Sequence, residues 1–459
     1  MFLDSAIQAL QGVRNLFISA VSNLKSASDT SYQPSTITKA KKAYSVQERH
    51  LRWTAPQQFS NKVVNNVVAL VKRQKVIIDL EKSRPPFLFV RRHIASLAST
   101  AFKVMTLNGL FGYIPITQYF NETICTLTEE EHLLARVEDI KLLPPWNYNA
   151  HPSMKWALTA KILQGIASSP SPWLVPPYEG AQDLFTEARK KLFSETNEQY
   201  HQLTITTPDG VELNGIWIKG ESKKVILFVP GIGGLYEEAA VKGNIAEFIA
   251  FFQKIYKGVN IVMINMRGVG VSKGSTTPDS TQIDIFSLFQ FLLTQGFDPE
   301  DVLVWCHSLG NWGGLKGAAL IQREFPTKKI SVVSDRSFLR ASDVAGTYFP
   351  YVGQVWKKYI QGNGLEIDCE EAATALQGHV VGIYSEEDTT IPYEQASFHA
   401  KMDKTKIKNY IPLRLENGYV WAHTRVFTEN ESSQIGKIVT TIFTQGKSYQ
   451  EVDKQDRVK

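Results

Sequence analysis

VLVWCHSLGNWGG, Val302 to Gly314, runs from an apolar strand-like segment into a serine and then into a helical pattern that opens with glycines. A serine at the apex of such a turn needs small neighbours two places before and two after it, because the chain reverses there with little room for side chains. Gly310 meets the later requirement, whereas Cys306, small but not glycine, meets the earlier one only in part. Three readings follow: Ser308 is a nucleophile, Cys306 or His307 is the reactive residue, or the segment is only a tight turn. Cys306 suits a buried small apolar position at a strand end. His307 is adjacent to Ser308 and so points away from it, which suits shaping the turn better than acting as its base.

Outward from this stretch, short β-rich runs alternate with helical patterns after about Gln202. QLTITT and VELNGIWIK flank the turn Pro208-Asp209-Gly210, the pattern of a hairpin. Strands are expected at Val225–Val229, Ile261–Asn265, Val302–Cys306, Ile330–Asp335, Val380–Ser385 and Tyr410–Leu415, with helices at Thr281–Leu293 and Leu309–Glu324 among those between them. An antiparallel hairpin followed by repeated βα units predicts an α/β fold, a mostly parallel eight-stranded sheet flanked by helices. Pro412 puts the last strand at an edge.

Reactive groups of an open parallel sheet gather at the carboxyl ends of its strands. Three further segments end strands with useful residues. LFVPGIGG, Leu227–Gly234, is a glycine-rich turn that reads either as a flexible connection or as half of an oxyanion hole; it lacks the Gly-Lys-Ser/Thr of a phosphate loop. NMRGVGVSKG, Asn265–Gly274, reads as architectural, and no helix opens at once as a dinucleotide fingerprint requires. YSEEDTTIPY places Asp388 in a turn after a strand, and NGYVWAH places His423 after the last strand. Only His399 and His423 follow Asp388 in the chain, and His399 falls within the helical run YEQASFHAKM. Asp335, at the end of the preceding strand, is the rival acid.

The 459 residues and 43% hydrophobic content are ample for a large core. Cys125, Cys306 and Cys369 are scattered and fit neither a disulfide framework nor a zinc site, so no metal or cofactor is expected. Residues 1–198 read as a mainly helical, basic N-terminal region preceding a catalytic domain over 199–459. A net charge of +5 conceals 16 Lys/Arg against 5 Asp/Glu in residues 1–103. Such a basic end reads as a solvated face or as attraction to an anionic membrane, and without a zinc finger or base-stacking motif a nucleic-acid partner is not expected. Ala6, Leu10, Val13, Phe17, Val21 and Leu24 mark one apolar helix face, and Phe59, Val63, Val67, Leu70 and Val71 a second. No secretory signal is evident, and Lys103 and Asn108 interrupt the most apolar run, Ile94–Ile114. A reduced, cytoplasmic setting is expected.

The chain resembles the α/β-hydrolase superfamily over its C-terminal 250 or so positions. The resemblance is carried by PGIGG, the N-x-R-G-x-G-x-S run Asn265–Ser272, C-H-S-L-G, the E-E-D-x-x-I-P turn and His423. Within that superfamily, GIGGLYEE, CHSLG and the S-D-R-S-F stretch Ser334–Phe338 look like the SidB-like and chlamydial CHLPS-type hydrolases of intracellular bacteria. The resemblance implies Ser308 as nucleophile, His423 as base then acid, Asp388 as its orienter, and the backbone N–H groups of Leu309 and Ile232 as the oxyanion hole. It departs from the pattern at Cys306 and at Pro230, where many lipases have histidine. It implies a serine esterase or lipase acting through an acyl-enzyme, with a type IV secreted effector role in a host cell for which the tail SYQEVDKQDRVK would serve as signal. The competing expectation is a catalytically weak or inactive scaffold that binds a host protein or membrane. The segment 336–379 carries Phe338, Tyr348, Phe349, Tyr351, Trp356 and Tyr359, an aromatic set expected to cap the site and to suit a lipid-like ester.

Overall fold

The period-2 apolar alternation of Val302–His307 divides the core. Val302, Val304 and Cys306 face one hydrophobic layer, Leu303 and Trp305 the other, and neighbouring Val225–Val229 splits in the same way. A computed structural model of the chain describes residues 50–83, 188–194 and 198–444, apart from 232–233, 241–243, 275, 278, 349–352, 363–365 and 420–421. The helical face within 4–25, the apolar run 94–114 and the tail lie outside these residues.

In chain order the strands are β1 (His50–Thr54), β2 (Tyr200–Thr206), β3 (Glu212–Ile218), β4 (Val225–Val229), β5 (Asn260–Ile264), β6 (Val302–His307), β7 (Ser331–Asp335), β8 (Val380–Tyr384) and β9 (Tyr410–Arg414). They form one sheet in the order β1-β2-β3-β5-β4-β6-β7-β8-β9. β2 and β3 make the expected antiparallel hairpin around Gly210, β3 pairs antiparallel with β5, and the pairs from β5 to β9 are parallel. Among the described residues nine strands stand where eight were expected. The ninth is β1, which pairs parallel with β2 over five residues.

The main helices are α1 (Lys62–Ser83), α2 (Asn244–Ile255), α3 (Ser280–Thr294), α4 (Gly310–Glu324), α5 (Ala341–Tyr348), α6 (Gly353–Gly362), α7 (Glu370–Thr374) and α8 (Glu429–Thr444). One sheet face is covered by α1, α3 and α4, and the other by α2 and α8. Val64, Val67, Val68 and Val71 of α1 lie in the same core as β4 and β6, and Gln74 bonds Asp279 and Thr277 in a buried contact ahead of α3. Side chains within residues 50–76 are thus part of the sheet's own core.

Between β7 and β8 the expected cap segment forms α5, α6 and α7. Phe338 is buried in the main core, so it is not a lid residue. The side chains of Tyr348, Phe349, Tyr351, Trp356 and Tyr359 lie outside the described residues.

The order reverses at β4: the chain leaves it for β5 on one side and reaches β6 on the other. The crevice at such a switch point is where this kind of sheet binds ligands. Register aligns Val229 with Cys306 and His307 with Asp335, bringing the ends of β4, β6 and β7 side by side.

Candidate active site

Ser308 follows β6 directly and has φ +51°, one of two described non-glycine residues with positive φ. Such a conformation costs of order 1–3 kcal/mol and persists only where the surroundings enforce it. Here the Ser308 N–H donates to Asp335 O at 3.0 Å, and Ser337 Oγ donates to Ser308 O at 2.5 Å. Gly310 must be glycine, because a Cβ there would overlap the carbonyl oxygens of Val229 and Pro230. The elbow therefore closes against the end of β4.

Cys306 is tolerated for an equally specific reason. Its Sγ occupies the space a Cβ at Gly314 would fill, one turn into α4, so the missing glycine at 306 is matched by a glycine at 314. Burial raises the thiol pKa well above its ordinary value, with Cys369 adding to the rise. A buried protonated thiol is no nucleophile.

Ser308 Oγ donates to His423 Nε2 at 2.8 Å, and His423 Nδ1 donates to Asp388 Oδ2 at 2.8 Å. All three residues are at least nine-tenths buried. Asp388 is held by its own turn, its Oδ1 accepting from the N–H groups of Thr390 and Ile391 at 2.8 Å each. That uses one carboxylate oxygen for the loop and leaves the other for the histidine, so the E-E-D-T-T-I-P turn presents Asp388 rigidly. The structure thus brings together Ser308, Asp388 and His423, taken from the ends of β6, β8 and β9.

Asp335, the rival acid, is engaged elsewhere. Its Oδ2 lies 3.1 Å from His307 Nδ1, and Arg336 donates to Oδ1 from Nε at 2.7 Å and to Oδ2 from Nη2 at 3.0 Å. Burial alone would raise its carboxyl, but Arg336 and then His307 outweigh it and hold it well below the usual carboxylate range. His307 is pushed down to about 4 by burial, against the opposing pull of Asp335. Ionised Asp335 therefore receives the Nδ1 proton of a neutral His307, whose ring centroid lies 5.3 Å from that of His423. His399 is accounted for by a different partner: it stacks on Tyr384 at 3.8 Å and bonds the Tyr410 hydroxyl at 2.8 Å.

Gly231 brings the loop after β4 against the nucleophile, since a Cβ there would come within 2.9 Å of Ser308 Cβ. Among the described residues the Leu309 N–H has no partner, and it sits at the start of the 15-residue α4, where backbone N–H groups favour an anion. Ile232, the expected second donor, lies outside the described residues. The Asn265–Ser272 run braces the site without entering it. Asn265 Oδ1 accepts from Tyr236 N at 3.0 Å beyond the Gly231 loop, and buried Arg267 bridges Asp209 and Asp284. An apolar recess lined by Val229, Pro230, Met266, Val269, Leu309 and Trp312 adjoins the elbow. No described cluster of His, Cys, Asp and Glu is arranged to hold a metal ion.

The strand order and the serine elbow after β6 define the α/β-hydrolase fold, with Ser308, His423 and Asp388 hydrogen-bonded in series at its strand ends. No protein-family model matches the chain, and no curated protein sequence matches it. Solved structures similar to it include an esterase from Pyrococcus furiosus, 20% identical over 52% of this chain and 89% of that one with a TM-score of 0.40. An alpha-beta hydrolase from Vibrio vulnificus is 18% identical over 59% and 94%, with a TM-score of 0.42. An acetyl xylan esterase from Paenibacillus sp. R4 is 14% identical over 57% and 94%, with a TM-score of 0.39.

Proposed function

We propose that the protein is a serine hydrolase that cleaves a carboxylic ester through an acyl-enzyme. The observation that carries this reading is the continuous pair of hydrogen bonds from Ser308 Oγ through His423 to Asp388, both 2.8 Å. His423 Nε2 takes the serine proton as Oγ attacks the ester carbonyl, and Asp388 keeps the other ring proton on Nδ1 and stabilises the imidazolium. The Leu309 N–H meets the oxyanion, and such a donor is worth roughly 3 kcal/mol in the transition state. His423 then returns its proton to the departing alcohol, and water repeats the sequence to release the acid.

The apolar recess beside Leu309 favours an acyl chain over a charged group at that position. With the basic N-terminal segment, it supports a lipid-like ester and an anionic membrane surface as the place of action. Among the described residues no helix is long and apolar enough to cross a membrane. A secreted effector role remains a proposal drawn from GIGGLYEE and S-D-R-S-F. The test is turnover of p-nitrophenyl esters of graded acyl length by the full chain and by Ser308→Ala. Hydrolysis lost in the variant supports the reading, and equal hydrolysis by both rejects it. Sedimentation with phosphatidylserine vesicles, with and without residues 1–49, tests the membrane part; equal sedimentation removes that segment from it.

A further inference from the structure

The stretch Ser334-Asp335-Arg336-Ser337-Phe338 takes no part in the proposed chemistry, yet three of its residues hold the two halves of the site. Arg336 is the other described non-glycine residue with positive φ, +45°. Its guanidinium is fully buried at the end of β7. On one side it grips both oxygens of Asp335, whose carbonyl in turn accepts from the Ser308 N–H. On the other side Nη1 donates to Ala422 O at 3.3 Å and to Arg425 O at 2.6 Å, the carbonyls that flank His423, while the group lies 4.8 Å from the Phe427 ring centroid. Ser337 Oγ completes the set on Ser308 O.

A left-handed arginine is strained, and burying a guanidinium is costly unless all its donors are used. Both costs are met at one point that joins the serine elbow to the histidine loop. The elbow and the loop after β9 are not joined by adjacent strands, because β9 is the sheet edge and β6 is central. We propose that Asp335, Arg336 and Ser337 form a bracket that sets the separation of nucleophile and base, with Arg336 as the positioning residue for His423. This rests on the reading of Ser308 and His423 as the reacting pair. The planar fork is what the role requires: a lysine would keep the charge beside Asp335 but could not bond both its oxygens and two carbonyls at once.

The experiment uses the full chain with Arg336→Lys and Ser337→Ala, reading the rate of phosphonylation at Ser308 by a fluorophosphonate together with backbone hydrogen exchange. Arg336→Lys is expected to slow phosphonylation by roughly 10–100-fold, as small misplacements of reacting groups do. Exchange should rise in peptides spanning 422–428 and stay unchanged across β6 and α4. Ser337→Ala should show the converse pattern, with exchange rising at 307–311 and the histidine loop unchanged. A folded Arg336→Lys protein with unaltered rate and unaltered exchange at 422–428 overturns the proposal, and so does exchange that rises uniformly over the sheet. If the wild-type chain is not phosphonylated at Ser308, the serine hydrolase reading fails, and the exchange pattern still decides the bracket.

Discussion

Two buried carboxylates lie at neighbouring strand ends, and their partners separate their roles. Asp388 offers one oxygen to its own turn and one to His423, so Asp388→Asn keeps the turn but replaces the acceptor facing Nδ1 with a group that can donate. Turnover is expected to fall by roughly 10³–10⁴-fold with the fold retained, because the wrong histidine tautomer is favoured. Asp335→Asn instead leaves Arg336 buried beside a neutral amide, and loss of one partner from a buried pair costs about 3–5 kcal/mol. Its effect should appear in denaturant unfolding, with turnover of the folded protein lowered by no more than the roughly 10–100-fold expected for loosening Arg336, well short of the loss at Asp388. Reversed results would exchange the two assignments. His307 adds a pH signature. Its pKa of about 4 in the folded protein lies below the ordinary 6.5, so between these values the unfolded chain binds a proton that the folded chain refuses. Its contribution is complete above pH 6.5 and falls as pH drops towards 4. Unfolding free energies of His307→Gln should decline less steeply from pH 6.5 to 4.5 than those of wild type; parallel slopes would show that His307 does not titrate in this way.

The elbow is an agreement between two elements. Strand β6 carries Cys306 where a glycine was expected, and helix α4 carries Gly314 against its sulfur. Gly314→Ala is therefore expected to destabilise by about 1–3 kcal/mol, the usual cost of overpacking. Cys306→Ala should recover most of that loss, because the two Cβ positions are 3.4 Å apart and only the sulfur collides. A double-mutant cycle in urea measures the coupling, and additive effects would contradict the packing. Element-level legibility follows the same physics. Strands β4 to β8 were readable because buried parallel strands are continuous apolar runs. HLRWT was not, since β1 is a half-exposed edge strand whose only identifying feature is its pairing with β2. Ser308, Asp388 and His423 were readable because each ends or follows a strand in the order the chemistry needs. Arg336 was visible in S-D-R-S-F, but its role depends on a left-handed backbone and on carbonyls some 90 positions away, which no local pattern encodes.

At the scale of the whole molecule, the chain before the hairpin is partly structural. β1 covers the edge of β2, and α1 buries four valines against the central core. Burying each such side chain stabilises by roughly 1.5–3 kcal/mol, so deletion of residues 1–83 should leave an insoluble or strongly destabilised protein. Deletion of residues 1–49 removes none of these contacts and should leave the melting temperature within a few degrees of the full chain. A stable, soluble 84–459 fragment would show that β1 and α1 are dispensable. This places any membrane test of the basic segment ahead of residue 50.

Ser308, His423 and Asp388 are proposed to act as one nucleophilic unit. This is tested most directly by treating the folded full-length protein with a fluorophosphonate and locating the adduct by peptide mass spectrometry. A single phosphonyl group is expected on Ser308, absent in Ser308→Ala and formed at least roughly 100-fold more slowly in His423→Ala. No adduct on folded wild-type protein, or an adduct on Ser308 that forms as fast without His423, would contradict it.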